Sequence, residues 1–429
     1  MAREVRGTAE TRLVQADLPK VHLRHGIETW KAGRVAESLG HFRLARTMGA
    51  RHPHLHYWLA LALQALGRRG DAERETRALL DRDPRDVLGL VMRDRLAAEA
   101  AKTAPKAPRI AFHMNRPFHS PIFKPLFALL AAEHRVLLTF EPGELVPFAP
   151  QVVVICDAQG ANVRKLLPGA TVVNVMHGVS PGKSLTKSAD PEDYYCIASE
   201  AVAERFLAAG RVPAEHLWIT GHLETDALFR PDAATLPINL EPGRKVVLYA
   251  PTFNPGMSSV PVLRERMGAL MRGARDDVTI ITRPHPDIIE RKPDWLAWFR
   301  AAAGDDPHFH LMEDFSTTLA PYMLAADVMV SDASNAAFQF LALDRPIVLI
   351  DNLDAELAGG AHEPDSLEWT WRDMGDDVSD VSKLAAAIDR SLKRPRRGAR
   401  KRRSYAKKLF GKFTDGKAAE RIAARIQAL

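Results

Sequence analysis

Five short clusters in this chain carry side chains able to hold a phosphate or move a proton, and each follows a short apolar run. Met176-His177-Gly178-Val179-Ser180-Pro181-Gly182-Lys183 comes after Val-Val-Asn-Val. It sets an imidazole, a group able to take or give a proton, beside glycines that let a ligand approach the backbone. A solvated histidine on a structural turn is the plainer reading, and these residues alone leave both open. Gly221-His222-Leu223-Glu224-Thr225-Asp226 follows Leu-Trp-Ile-Thr and suits a turn or a ligand contact equally. Ala250-Pro251-Thr252-Phe253-Asn254 follows Val-Val-Leu-Tyr, and Thr252 can donate to a phosphate or cap the sheet. In Thr282-Arg283-Pro284-His285-Pro286 two prolines fix the backbone around His285, two residues after Arg283. Such rigid presentation suits binding and polarising a phosphate, although a buried structural histidine would look the same. Ser331-Asp332-Ala333-Ser334-Asn335 leads into a helical pattern from Ala336. Small hydroxyl residues there cap a helix and can also hold a phosphate.

Other chemistries are excluded or weak. His52, His54 and His56 lie close together without a Cys or acid at ligand spacing, so no metal site is expected. Cys156 and Cys196 are the only cysteines, which excludes a disulfide scaffold and a cysteine-only zinc site and points to a reducing cytoplasm. No Walker loop, no G-x-G-x-x-G after a strand and no G-x-S-x-G elbow occurs. That argues against a P-loop nucleotidase, a nicotinamide dehydrogenase and an α/β-hydrolase.

The elements that must carry these clusters are legible as texture. Residues 109–235 and 240–392 each alternate short apolar runs with amphipathic stretches. Runs such as Val-Val-Val-Ile-Cys do not alternate with polar residues, the mark of strands buried on both faces in parallel sheets. The polar, Pro/Gly-rich stretch 230–244 separates the two series. Two doubly wound, Rossmann-like α/β domains facing across a cleft follow, with ligands beyond the carboxyl ends of the strands. Residues 1–100 are helical in pattern. Gly33-Arg34 and Gly67-Arg68 stand 34 residues apart, the tetratricopeptide period, and a Pro-rich linker spans 101–108. So short an array is expected to pack on the rest of the chain or on another protein.

The chain has 429 residues, 46% hydrophobic and 26% charged, which excludes a disordered or collagen-like protein. Neither a secretory signal nor a membrane span is expected. The net charge of +6 is local, because residues 393–412 hold eleven Lys or Arg and no acid. Aromatic residues are sparse there, so charge attraction to an anionic membrane surface is expected and nucleic acid is not. Changing Arg400, Lys401, Arg402 and Arg403 to Gln is expected to abolish that binding.

In order, the clusters resemble the CDP-glycerol glycerophosphotransferase family of teichoic-acid and capsule synthesis. The likeness rests on His177-Gly178, the G-x-x-x-x-D element from Gly221 to Asp226, Tyr-Ala-Pro-Thr-Phe at 249–253 and Arg-Pro-His-Pro at 283–286. It continues through Ala-Asp-Val-Met-Val-Ser-Asp-Ala-Ser at 326–334, Asp-Arg-Pro-Ile-Val at 344–348 and Phe-Thr-Asp-Gly-Lys-Ala-Ala-Glu-Arg-Ile at 413–422. The resemblance implies a glycosyltransferase-B fold, with an acceptor domain at 109–235 and a donor-nucleotide domain at 240–392. Residues 393–429 would then form the basic segment and a final helix packed back on the first domain. It implies transfer of a polyol-phosphate from a CDP-activated donor to a hydroxyl of a glycan or lipid-linked polymer, releasing CMP without a metal or other cofactor. His177 would be the base, with Gly178 and Ser180 on the acceptor side. His285 and Arg283 would neutralise the diphosphate, and Thr252, Asp332, Ser334 and Asn335 would bind the donor. The family implies work at the inner face of the membrane, with the helical repeats free to recruit a protein. A glycosyltransferase or UDP-N-acetylglucosamine 2-epimerase-like enzyme on the same fold is the competing reading, separable by donor turnover. A non-catalytic binding protein is a third, disfavoured by retention of both His177 and His285.

Overall fold

Two six-stranded parallel sheets, each wrapped by helices, carry the chain from residue 109 onward in this computed structural model. The structure describes residues 9–429 apart from 51–54, 83, 85, 101–107, 180–191, 211, 234, 316 and 360–362. His52, His54, most of the expected linker, and Ser180 with the Pro181-Gly182-Lys183 after it lie outside the described residues.

The first sheet contains β1 (Arg109–His113), β2 (Arg135–Thr139), β3 (Val152–Ile155), β4 (Thr171–Asn174), β5 (Tyr194–Ile197) and β6 (Leu217–Ile219). Their order is β2-β1-β3-β4-β5-β6. The second contains β7 (Lys245–Tyr249), β8 (Val278–Thr282), β9 (Phe309–Leu311), β10 (Val328–Ser331), β11 (Ile347–Ile350) and β12 (Asp376–Val378), ordered β12-β11-β10-β7-β8-β9. Every residue of β3 and β8 is buried, as unbroken apolar runs require. Strand β12 escapes sequence reading because Asp-Asp-Val at a sheet edge has no apolar run; pairing with β11 makes it a strand. Strand order reverses between β1 and β3 and between β7 and β10. Crevices open there at the carboxyl ends of the strands. One apolar cluster joins the two halves, from Met176, Tyr195 and Phe206 of the first to Leu248, Phe338 and Leu349 of the second.

Among the described residues the amino-terminal block has five helices: α1 (Ala9–Lys31), α2 (Val35–Thr47), α3 (Leu55–Ala65), α4 (Arg69–Arg82) and α5 (Val87–Ala100). The α1–α2 and α3–α4 turns are alike. Gly33 N–H donates to the Trp30 carbonyl and Arg34 N–H to Thr29; Gly67 N–H donates to Gln64 and Arg68 N–H to Leu63. Both glycines have positive φ (+75° and +70°), which explains their residue type at each helix end. Ser38 and Ala72, equivalent in the two hairpins, are fully buried, as close helix pairing requires. The block packs on the chain's own first sheet. Helix α5 lies along β2, Tyr57 stacks on Phe140 at 5.2 Å, and Arg95 pairs with Glu144.

The carboxyl-terminal helix Ala418–Gln427 returns to the first domain and packs on helix Ser120–Ala131. Asp226, the last residue of the G-x-x-x-x-D element, accepts from the Ala418 and Ala419 N–H groups at 2.9 Å each. A carboxylate at the first turn satisfies orphan donors and the helix dipole together. Gly221 turns there with φ +86°, and a Cβ at this position would press on Phe413.

The basic segment differs from expectation. Arg402 is 2% exposed, and its guanidinium donates to the carbonyls of Asp344, Pro395 and Arg397 and to the Asp344 carboxylate. Lys393, Arg397, Lys401, Arg403 and Lys412 pair with Asp389, Asp376, Asp373, Asp344 and Glu200. A cation count along the sequence cannot see acids that the fold brings up from elsewhere. Arg394, Arg396, Arg400 and Lys407 are exposed and have no acidic partner among the described residues.

Candidate active site

A cleft of about 610 Å³ lies between the two sheets, lined by residues that follow β1, β3, β4, β7, β8 and β10. The structure brings His177, Thr252, Arg283, His285, Ser334 and Asn335 onto its walls. Asp332 lies behind that surface, 2% exposed. Its carboxylate accepts from Thr252 N–H at 2.8 Å and from Ser259 N–H and Oγ at 2.9 Å each. Burial pushes this carboxyl up to about 6, against those hydrogen bonds. Asp332 therefore positions the Thr252 backbone, a different task from the donor contact expected of it.

His177 is held out by backbone strain. The preceding Met176 has φ +55°, uncommon for a residue other than glycine, and its N–H donates to the Asn174 side chain at 2.9 Å. The His177 Nδ1 lies 3.1 Å from the Cys156 carbonyl. A carbonyl only accepts, so Nδ1 carries the proton and Nε2 is left as a base in the neutral ring. His285 is arranged the other way. Its Nδ1 accepts from Asp287 N–H at 3.1 Å, and burial lowers its pKa to about 4. The neutral ring must carry its proton on Nε2 and present it as a donor. The two rings thus hold opposite tautomers in one cleft, one able to take a proton and one able to give a hydrogen bond.

Arg283 is 7% exposed. It donates to the Thr317 carbonyl at 3.0 Å and stacks over Phe315 at 4.5 Å. Its Nη1 has no hydrogen-bond partner among the described residues. A buried cation with an unused donor on a cleft wall is a ready anion contact. Ser334 Oγ accepts from Ala336 N–H at 3.3 Å and so caps the short helix Asn335–Phe340. A Cβ on Gly178 would overlap the Asn335 amide, so this glycine lets the second domain close onto the His177 loop.

Several cleft residues escape sequence reading. His119 stacks on His177 at 5.2 Å, Phe118 meets His119 at 4.6 Å and His285 at 6.2 Å, and Phe253 meets His285 at 4.5 Å. This wall of rings crosses from one domain to the other. Burial drops His119 to a pKa of about 3, which makes it a neutral platform. Arg116 bridges the domains through Asp287 and Glu290 at 2.5 Å each. Burial pushes the Asp157 carboxyl up, but His177, the Ala158 N–H and Asn115 outweigh it and hold the carboxyl below its ordinary value. Asn115 and Asp157 stand just past β1 and β3, so the strand-end rule that located the other clusters would also have found them.

Residues 106–428 match the family described as CDP-Glycerol:Poly(glycerophosphate) glycerophosphotransferase. The chain belongs to this family. The teichoic acid glycerol-phosphate primase of Bacillus subtilis (strain 168) is 24% identical over 186 residues, 41% of this chain and 44% of that protein. The chain therefore matches less than half the length of that relative. The wall teichoic acid polymerase TagF has the same fold, with TM-score 0.57 and 14% identity over 88% of this chain and 97% of that one. The structure of S. aureus MnaA with UDP matches 75% of this chain and 96% of its own, with TM-score 0.50 and 14% identity. These likenesses establish the two-domain glycosyltransferase-B architecture.

Glu224 lines the cleft and accepts from Gln339 of the second domain at 3.2 Å. Burial pushes its carboxyl from the ordinary 4.5 up to about 8, against that hydrogen bond. Between those values the unfolded chain binds fewer protons than the folded one, so this carboxyl costs stability as pH rises. Glu224→Gln is therefore expected to raise Tm near pH 9 and leave it nearly unchanged near pH 4. Calorimetric melts across that range check it; an equal shift at both ends would mean that Glu224 titrates as it does in water.

Proposed function

We propose that this protein transfers a polyol-phosphate of the glycerol-phosphate type from a CDP-activated donor to a hydroxyl of a glycan or polymer, releasing CMP. The observation that carries the reading is the pair of histidines in opposite tautomers, one on each domain, facing one cleft beside the unused Arg283 donor. The acceptor oxygen attacks the polyol-bearing phosphorus while His177 Nε2 takes its proton. The bond from that phosphorus to the bridging oxygen breaks, and the bridging oxygen leaves with CMP. Arg283 and the His285 Nε2–H stabilise the charge that gathers on it. Thr252, Ser334 and Asn335 stand on the donor side and Gly178 on the acceptor side, a role that falls to Ser180 as well in this reading. Every step uses this chain's own residues, so no cofactor is invoked. Among the described residues no group of three or more His, Cys, Asp or Glu is placed to hold a metal. The test is CMP release from a panel of CDP-glycerol, CDP-ribitol and UDP-sugars. Turnover of UDP-sugars alone would replace this reading with a nucleotide-sugar enzyme.

The enzyme works at an anionic membrane surface in this reading, at the cytoplasmic face, and the helical block leaves room for a protein partner. No helix among the described residues is long and apolar enough to cross a membrane. The contact falls to the cations the fold leaves free. Arg400 and Lys407 are seven residues apart on one face of helix Ala399–Phe410, with Arg394 and Arg396 just before it. Each is worth about 1 kcal/mol near an anionic bilayer. Changing these four to Gln is expected to abolish salt-reversible sedimentation with phosphatidylglycerol vesicles. Equal partitioning of wild type and variant would reject the contact.

A further inference from the structure

A second and larger hollow, about 1580 Å³, lies between the helical block and the first sheet. It exceeds the ~300–1,000 Å³ of an ordinary small-molecule site, as an extended ligand would need. One wall comes from Trp30, Gln64 and Arg95 of the helical block. The other is the outer strand β2 and the stretch after it, with Phe140 and Phe148. Asn115 lines this groove and the catalytic cleft alike, so the two spaces adjoin at the carboxyl end of β1.

We propose that the groove binds the uncharged, polyhydroxylated stretch of a glycan acceptor, whose reactive end passes Asn115 into the cleft. The proposal deepens the transferase reading and rests on it for the direction of the chain. The charge in the groove decides the ligand class. Lys31, Arg95 and Arg135 are balanced by Glu99, Glu141 and Glu144, and Arg95 is spent in a two-pronged pair with Glu144 at 2.6 and 2.7 Å. A polyphosphate chain needs a clear surplus of cations, and the formal charges of this groove are three against three. Its other features suit sugars. Aromatic rings pack against the C–H faces of sugar rings, and amides and carboxylates exchange hydrogen bonds with hydroxyls. The floor is already organised, because Arg95 also donates to Gln64 at 2.8 Å and Gln64 to Glu99 at 3.0 Å.

The test is calorimetric titration of the full chain with glucose and N-acetylglucosamine oligosaccharides of about one to six units, and with poly(glycerol phosphate) of matched length. Affinity for at least one neutral series is expected to rise about ten-fold from one unit to four or more. The gain should disappear in Val146→Arg, whose wild-type side chain is 52% exposed on the groove wall and can change without disturbing the core. Phe148→Ala is the second variant and should weaken the longer oligomers selectively. Lack of length dependence in every neutral series, unchanged affinity in both variants, or tighter binding of poly(glycerol phosphate) would each overturn the proposal. So would binding of extended peptides in place of sugars, which would make the groove a protein-docking face. CDP-glycerol turnover is measured separately; its absence would sink the transferase reading and leave the sugar-binding result standing.

Discussion

His177→Ala is expected to lower kcat by about 10²–10⁴-fold, the usual worth of a general base, with donor affinity nearly unchanged. The split follows from the geometry. His177 sits on the first domain with Nδ1 committed to the Cys156 carbonyl, so only Nε2 can serve the reaction. In the proposed reaction its partner is the acceptor hydroxyl, so donor binding should not need it. Steady-state kinetics with CDP-glycerol, paired with calorimetry of donor binding to the folded variant, separates the two effects. Near-normal turnover would remove the base from His177. A matching loss of donor affinity would move this residue to the donor side. His177→Gln should do no better than alanine, since an amide keeps a hydrogen bond but takes no proton.

Arg283→Ala is expected to weaken donor binding by roughly 10–150-fold, the equivalent of about 1.5–3 kcal/mol for a lost charged hydrogen bond, and to lower kcat as well. The side chain is pre-positioned by the Thr317 carbonyl and the Phe315 ring, and Nη1 has no hydrogen-bond partner among the described residues. In the proposed reaction charge grows on the bridging oxygen in the transition state, so binding and rate should both suffer. Arg283→Lys tests the geometry, because an ammonium keeps the charge but cannot stack and donate in two directions at once. It should recover part of the affinity and little of the rate. Unchanged affinity for CDP-glycerol in both variants would place the diphosphate elsewhere in the cleft.

Clusters at strand ends were visible in the sequence because a strand buried on both faces announces its own end. Val-Val-Val-Ile-Cys stops at Asp157, and Val-Thr-Ile-Ile-Thr stops at Arg283. Four of the five clusters hold His, Gly or Ser; Asn115, Arg116 and Asp157 occupy equivalent places without being any of these types. Gly221–Asp226 shows why a motif alone does not say what it does. Its first residue turns the chain, its last caps the carboxyl-terminal helix, and Glu224 between them reaches the cleft. The sequence suits a turn or a ligand contact equally, and the fold puts a turn at Gly221 and a cleft-lining carboxyl at Glu224 within the same six residues.

The sequence by itself determined the two parallel sheets, the helical block before them, the family resemblance and the places where a site had to open. All of these depend on patterns a few residues long, set by burial on both faces of a strand or one face of a helix. The tertiary structure decided the chemistry within those places. The proton position on His177 depends on a carbonyl 21 residues away, and the task of Asp332 depends on amides 73 and 80 residues away. Arg402 became a buried strut through Asp344, 58 residues back, while Arg400 beside it stayed free. Hydrogen-bond partners and burial are properties of contacts between distant segments. A residue's type limits what it can donate or accept, and only the folded neighbourhood selects which of those roles it plays.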